Sequence, residues 1–241
     1  MMTSARTVLV TGGAGGIGRA IASAFAALGD DVVIADVAGV DEAAADLGVR
    51  GVAVDITDED SITAALDQVG PVDVLVNNAG VLTVHGALLE LPAADMLKIL
   101  QVNVHGTFLV TQHVGRRMVA RGTGGTVVNL SSIGGRQPTP GMGGYESSKA
   151  AVDALTRWAA IELAPHGIRV NAVAPGPVLT PMLAMGLPEG SPAREAWTNR
   201  IPLRQLAPVD QVAAAVVFLA GDSATHITGT SLPVDGGQLL V

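Results

Sequence analysis

The run Thr7-Val8-Leu9-Val10, continuing into Thr11-Gly12-Gly13-Ala14-Gly15-Gly16-Ile17-Gly18, limits the possible folds of this chain more than any other stretch. An apolar run that breaks into glycines and resumes with Ala20, Ile21, Ala24, Phe25 and Leu28 at helical spacing reads as strand, glycine loop and helix. Glycines at such a junction let the backbone turn tightly and approach a diphosphate, while the free N–H groups and dipole of the helix start attract negative charge. A glycine-rich loop alone can be a mere turn. Its position between a first strand and a first helix is what points to a dinucleotide.

The same alternation continues down the chain. Asp31 to Ala35, Gly51 to Val54, Val72 to Val76, Gly125 to Leu130, Arg169 to Ala174 and Ser231 to Val234 read as further strands. Between them come a helix start at Thr57 to Asp60, one long or broken helical region from Pro92 to Arg121, a helix from Tyr145 to Leu163 and a last helix from Val209 to Ala220. Strand and helix units joined by right-handed crossovers give an α/β fold, a doubly wound parallel sheet (Rossmann fold) of about seven strands with helices on both faces. With no repeat, low-complexity tract or linker in view, residues 1–241 are expected to form one domain. The segment 181–205, irregular or weakly helical, has the character of a substrate lid over the carboxyl edge of the sheet. Aromatic residues are only 2% of a chain that is 49% apolar, so the core is expected to consist of Ala, Val, Leu and Ile.

Charge and composition exclude several classes. A formal net charge of −8 argues against nucleic acid or an anionic membrane surface as partner. The absence of cysteine removes disulfides and thiol nucleophiles. The five histidines show no paired ligand spacing, so no metal is expected. Met1 to Thr7 is short and polar, and the apolar run Val212 to Ala220 is too short to span a bilayer, so a soluble, cytoplasmic protein is expected.

Specific side chains then stand out. The second strand ends at Asp36, where a carboxylate accepts from both hydroxyls of an adenosine ribose and repels a 2′-phosphate. No arginine or lysine lies between Arg19 and Arg50 to compensate such a phosphate, so NAD is preferred over NADP; the alternative is that Asp36 merely caps a turn. Asn77-Asn78-Ala79-Gly80 after the fourth strand could form a turn, or could hold neighbouring strands while Ala79 and Gly80 leave room for a ligand. Asn103 lies among apolar residues and must be satisfied or functional. Ser131 and Ser132 end the fifth strand, where open α/β sheets place ligands, and in a strand only one of two neighbours faces the substrate. Tyr145 is the only tyrosine, and Lys149, one of two lysines, falls one helical turn later. A phenol beside an ammonium is an acid/base device, because a positive neighbour lowers the tyrosine pKa. A surface Tyr and Lys would show the same spacing.

With these pieces in place, the sequence resembles the short-chain dehydrogenase/reductase family from Thr7 to the C-terminus. Thr11-Gly-x-x-x-Gly16-x-Gly18 looks like its cofactor loop, Asn77-Asn-Ala-Gly80 its sheet-stabilising motif and Tyr145-x-x-x-Lys149 its active-site motif. The resemblance implies Asn103, Ser132, Tyr145 and Lys149 as the catalytic set, with Ser132 thirteen positions before Tyr145. It implies cofactor contacts at Gly12, Gly16, Ile17, Gly18, Asp36, Asp55, Ile56, Asn78, Ala79, Gly80, Tyr145, Lys149, Pro175, Gly176, Val178 and Thr180, with Asp55 and Asn77 around the adenosine. The implied activity is NAD-dependent interconversion of a secondary alcohol and a ketone by a homotetramer, with the last helix and C-terminal strand as contacts. The rivals are an NADPH-dependent 3-oxoacyl reductase and a non-catalytic dinucleotide sensor. Glu146 departs from the family pattern and is expected to point away from Tyr145. The segment Pro138 to Gly144 carries no aromatic residue and reads as a roomy wall.

Overall fold

The computed structural model describes residues 5–82 and 85–241, so most of the polar opening segment lies outside the described residues. Seven strands join one sheet: β1 (Thr7–Thr11), β2 (Asp31–Asp36), β3 (Arg50–Ala53), β4 (Val74–Asn77), β5 (Gly125–Leu130), β6 (Ile168–Pro175) and β9 (Ser231–Val234). A second, two-stranded pair is formed by β7 (Val178–Leu179) and β8 (Ala207–Pro208). The large sheet runs in the order β3-β2-β1-β4-β5-β6-β9, and every neighbouring pair is parallel. This is the doubly wound arrangement expected from the sequence.

Both faces are covered, which explains why the strands read as unbroken apolar runs. Successive strand side chains point to opposite sides, so Val8 and Val10 pack with α1 (Gly16–Ala27), α2 (Val40–Leu47) and α9 (Val209–Ala220). Leu9 and Leu75 fall on the other face, against α3 (Glu59–Val69), α5 (Thr107–Arg121) and α6 (Gly143–Leu163). Sequence reading leaves α2 unassigned. It is only eight residues long and opens after Gly39 in the left-handed region, a start that lacks a Ser, Thr, Asp or Asn signal.

The region Pro92 to Arg121 breaks in two. A helix α4 (Ala93–Leu100) and α5 are joined by a π-helical turn, Gln101–Gly106, which contains Asn103. Gly106 is required there, because a Cβ on it would sit 2.7 Å from Ile56 Cδ1. The segment after β7 is more ordered than its sequence implies. It forms α7 (Pro181–Gly186) and α8 (Pro192–Thr198), capped by the Thr180 and Ser191 side chains, each followed by proline at the first helical turn. Leu187, Ile201 and Leu206 bury against one another as a separate small core under these helices.

The winding reverses at β1. The chain moves outward from β1 to β2 and β3, then returns to place β4 on the opposite side, with Thr11 in register with both Ala35 and Asn77. Loops leaving β1 and β4 therefore diverge and open a crevice at their carboxyl ends. Phe25 on α1 is fully buried on the face shared with α9, in a core that has few other aromatic side chains. Phe25→Ala should destabilise the chain by about 3–5 kcal/mol, because the void cannot be refilled by neighbouring Ala and Val. Urea unfolding followed by far-UV circular dichroism measures this as a lower midpoint at unchanged slope.

Candidate active site

The crevice at the switch point is a cleft of about 840 Å³. On the β1 and α1 side it is lined by Gly12, Gly16 and Ile17, and on the β2 and β3 side by Asp36, Asp55 and Ile56. Asn78, Ala79, Gly80 and Thr180 close the rest, and no arginine or lysine is among the lining residues. Helix α1 starts at Gly15 with no side-chain cap, and nothing lies within 4 Å of where a Cβ on Gly15 would project. The unpaired N–H groups of that helix start thus face open space at the cleft, the condition an anionic diphosphate requires.

Gly12 and Gly18 serve the packing beneath. A Cβ on Gly12 would lie 2.8 Å from Asn78 Nδ2 and Ala79 Cα, and one on Gly18 would collide with the Gly12 carbonyl. Asn78 stitches the glycine loop to β4, donating from Nδ2 to the carbonyls of Thr11 at 3.0 Å and Gly12 at 2.9 Å. The Thr11 hydroxyl in turn accepts the N–H groups of Asn78 and Ala79, both at 3.1 Å. Asn77 does not line the cleft as expected. It is buried below, donating to Thr111 Oγ1 at 2.8 Å and Asn129 Oδ1 at 2.9 Å, because adjacent residues of a strand end face opposite ways.

Asp36 holds its loop while it faces the cleft: Oδ1 accepts the Val37 N–H at 2.8 Å and Oδ2 the Ala14 N–H at 3.2 Å. The turn-forming and cleft-lining readings of this residue therefore coexist. Arg19, the nearest preceding cation in sequence, is paired with Asp46 at 2.9 Å. Asp55 accepts from both the Thr57 N–H and hydroxyl, which pulls its carboxyl below its ordinary pKa. Pro175 ends β6, and Gly176 leaves space for Asp235, whose Cα would sit 3.0 Å from an added Cβ. Val178 is buried in the β7–β8 pair, and the Thr180 hydroxyl caps α7 by accepting the Leu183 N–H at 3.2 Å.

A second cluster adjoins the cleft at Gly80. A Cβ on this glycine would lie 3.1 Å from Asn103 Oδ1 and 3.6 Å from Lys149 Nζ, so its absence joins the two sites. Helix α6 presents Tyr145 and Lys149 on one face, with the ammonium 5.6 Å from the centre of the phenol ring. Lys149 is buried and donates to the Leu130 carbonyl at 2.7 Å. Ser132 accepts the Gly134 N–H at 3.1 Å. Ser131 points the other way, donating to the Lys149 carbonyl at 3.2 Å. Asn103 clamps the chain after β4, accepting the Val81 N–H at 2.7 Å and donating to the Val81 carbonyl at 3.0 Å. Its Nδ2 also donates to Ser148 Oγ at 3.0 Å, so its side chain is fully engaged.

Electrostatics depart from the sequence expectation in two ways. Burial raises the Tyr145 pKa above its usual value, with the Ser132 hydroxyl opposing and the Glu146 charge reinforcing the rise. Lys149 does not reverse this in the chain alone, because its own charge is weakened: burial lowers its pKa to about 8, against the opposing charge of Asp153. Glu146 turns its carboxylate towards Thr139, yet its charge still raises the Tyr145 pKa. It is buried, and its Oε2 accepts the Thr139 N–H at 3.0 Å, fastening the Pro138–Gly144 wall to α6. Asp153 and Arg136 escaped sequence reading, although the spacing of 145, 149 and 153 places one residue per turn on a single helical face.

Comparison with known proteins finds relatives along the whole fold. A family model described as Enoyl-(Acyl carrier protein) reductase matches residues 12–238. The cis-4-hydroxycyclohexanecarboxylate dehydrogenase of Sinomonas cyclohexanicum is 43% identical over 98% of this chain and 97% of its own length. A solved structure described as a short chain dehydrogenase/reductase family protein has a TM-score of 0.89 at 38% identity, covering 100% of both chains. Another, ElxO with NADP bound, has a TM-score of 0.91 at 33% identity over 98% of this chain and 100% of that one.

The buried ammonium costs stability that its removal should return. Lys149 is charged in both folded and unfolded chains below pH 8, and its pKa of about 8 in the folded chain lies below the ordinary 10.5. Its burial therefore opposes folding most strongly below pH 8, and the opposition fades as pH rises from 8 towards 10.5. Lys149→Met should stabilise the cofactor-free chain by roughly 1–3 kcal/mol at neutral pH, with a smaller gain in alkali. Denaturant midpoints of both proteins across pH check the sign and the window.

Proposed function

The chain belongs to the short-chain dehydrogenase/reductase family, and from that premise we propose an NAD-dependent oxidoreductase that interconverts a secondary alcohol and a ketone. The observation that carries this reading is the junction at Gly80, where a cleft suited to a dinucleotide meets Ser132, Tyr145 and Lys149. A bound nicotinamide dinucleotide supplies the hydride acceptor or donor. Tyr145 takes the alcohol proton on its phenolate oxygen, or returns it to the nascent alkoxide in the reverse direction. Ser132 donates to the reacting oxygen, a preorganised dipole aimed at developing charge. Lys149 keeps two N–H donors beyond the one given to Leu130, enough to hold cofactor hydroxyls and to favour the phenolate. Asn103 acts through Val81 and Ser148, fixing the loop after β4 and the helix that carries the pair.

A phenol that titrates above its ordinary value must lose more than about 4 kcal/mol of that preference to work near neutrality. Lys149 in its protonated form and the positive charge of an oxidised nicotinamide are the two sources in this reading, and both act in a pocket with little water. Residues 181–205 serve as the lid, with the small core of Leu187, Ile201 and Leu206 letting them move as a unit. The whole chain acts as one domain, since the lid is hung from β7 and β8 at the carboxyl edge of the large sheet.

Asp36 and the lack of basic side chains around the cleft support NAD. The NADP-bound relative keeps NADPH-dependent reduction as the second reading. Assembly as a homo-oligomer is part of the proposal. It is supported by an apolar groove of about 390 Å³ between α5 and α6, where Phe108 stacks on Trp158 and Trp158 is 49% exposed. The last helix is a weaker candidate contact, because Val212, Ala213, Val216, Leu219 and Ala220 already pack on the sheet.

Turnover of secondary alcohols with NAD should exceed that with NADP by roughly 10²-fold or more in kcat/KM, since juxtaposed like charges cost several kcal/mol. Tyr145→Phe should lower turnover by about 10²–10⁴-fold and leave NAD binding intact. Reduced-nicotinamide absorbance over an alcohol panel, with calorimetric titration of NAD, tests both. Binding without turnover across the panel would make the chain a sensor, and undiminished turnover in the Phe variant would remove Tyr145 from the chemistry.

A further inference from the structure

One buried charge remains once Ser132, Tyr145 and Lys149 have their roles. Asp153 stands one helical turn beyond Lys149 on α6, as Lys149 stands one turn beyond Tyr145. Its side chain is only 7% exposed, with Oδ2 3.4 Å from Arg136 Nε and Oδ1 buried without a hydrogen-bond partner. Arg136 also donates from Nη2 to the Ser231 carbonyl at 2.9 Å, which pins the guanidinium between the segment after β5 and the start of β9. A carboxylate with an orphaned oxygen is costly to bury. The fold does not need it there, because the neighbouring buried positions Val152, Thr156 and Ala160 are apolar or bonded within the helix.

We propose that Asp153, oriented by Arg136, is a positioning residue whose negative charge keeps the buried Lys149 protonated at neutral pH. The proposal rests on the reading of Lys149 as part of the active site. The other groups around Lys149 do not supply that charge. From β5 it meets the neutral Leu130 carbonyl, and from the π-helical turn and the chain after β4 the neutral Asn103 and Gly80. On its own helix Tyr145 is neutral, and the Glu146 carboxylate is turned to Thr139 and Gly134. Arg136 is positive and is paired with Asp153 at 3.4 Å. Asp153 is thus the charge that opposes the effect of burial on Lys149. The arrangement is a relay of position along one helix: Arg136 sets Asp153, Asp153 sets the charge of Lys149, and Lys149 acts on Tyr145 and the cofactor.

The two lysines of the chain make a direct test possible. Full-length, cofactor-free protein carrying ¹³C at lysine Cε gives two resonances, and a Lys98→Arg variant identifies that of Lys149. The native midpoint should lie near 8. Asp153→Asn should lower it by about one pH unit or more, a tenfold loss of proton affinity. In the same variant the loss of kcat/KM on the alkaline side should begin at correspondingly lower pH, whereas a purely structural role would leave both midpoints in place. Asp153→Ser gives the same reading if the asparagine variant does not fold. An unchanged Lys149 midpoint in either folded variant overturns the proposal. The resonance reports a proton on nitrogen and not turnover, so an inactive native chain would contradict the proposed function without altering this result.

Discussion

A parallel sheet covered on both faces leaves its polar side chains little room to act except at the carboxyl ends of its strands. Every chemical feature of this chain follows from that constraint. The strands β1, β4, β5 and β6 carry apolar residues along their lengths and deliver Gly12, Asn78, Ser132 and Gly176 where they end. The reversal of winding at β1 then decides which ends diverge, and the cleft forms there. Hydrogen bonds hold the divergence open: Asn78 and Thr11 join two strand ends, and Asn103 joins the chain after β4 to the helical layer.

The same burial that builds the core sets the chemistry of the site. It raises the phenol and lowers the ammonium, so in the cofactor-free chain both groups are biased towards their neutral forms. Such a pair is at rest until something adds positive charge. In the proposed reaction that charge arrives with the oxidised cofactor, which ties activation of Tyr145 to occupancy of the cleft. In the proposed relay Asp153, paired with Arg136, adjusts the resting point from the next turn of α6, and the Glu146 charge opposes phenolate formation from the position beside Tyr145. A destabilised charged lysine is thus a stability cost retained by the fold at its functional site.

Much of this was legible in the sequence because strand ends and helix spacing are local properties. Seven apolar runs gave the seven strands to within two residues at each end, and the one-turn spacing of Tyr145 and Lys149 placed them on one face of α6. Strand alternation requires Ser131 and Ser132 to face opposite ways, and they do. What was not legible depends on contacts distant in sequence. Asn77 and Asn78 look equivalent until the sheet exists, and then one is bonded to Asn129 below while the other faces the cleft. The partner of Glu146 was not legible, because the Thr139 N–H lies in a loop of no fixed pattern. Helix α2 was missed because a glycine start and eight residues give little periodicity. The direction of the tyrosine shift was misjudged because spacing reports a neighbour but not the burial that outweighs it.

The account makes Tyr145 a group whose proton affinity is set by what occupies the cleft, and the chain offers a clean way to read it. With a single tyrosine, the ultraviolet absorbance change of phenolate formation reports Tyr145 alone. Titrated without cofactor, the phenol should ionise above its ordinary value of 10.0. With saturating oxidised NAD the midpoint should fall by about two to three pH units, towards neutrality. A midpoint that is the same with and without NAD would contradict the account at its centre.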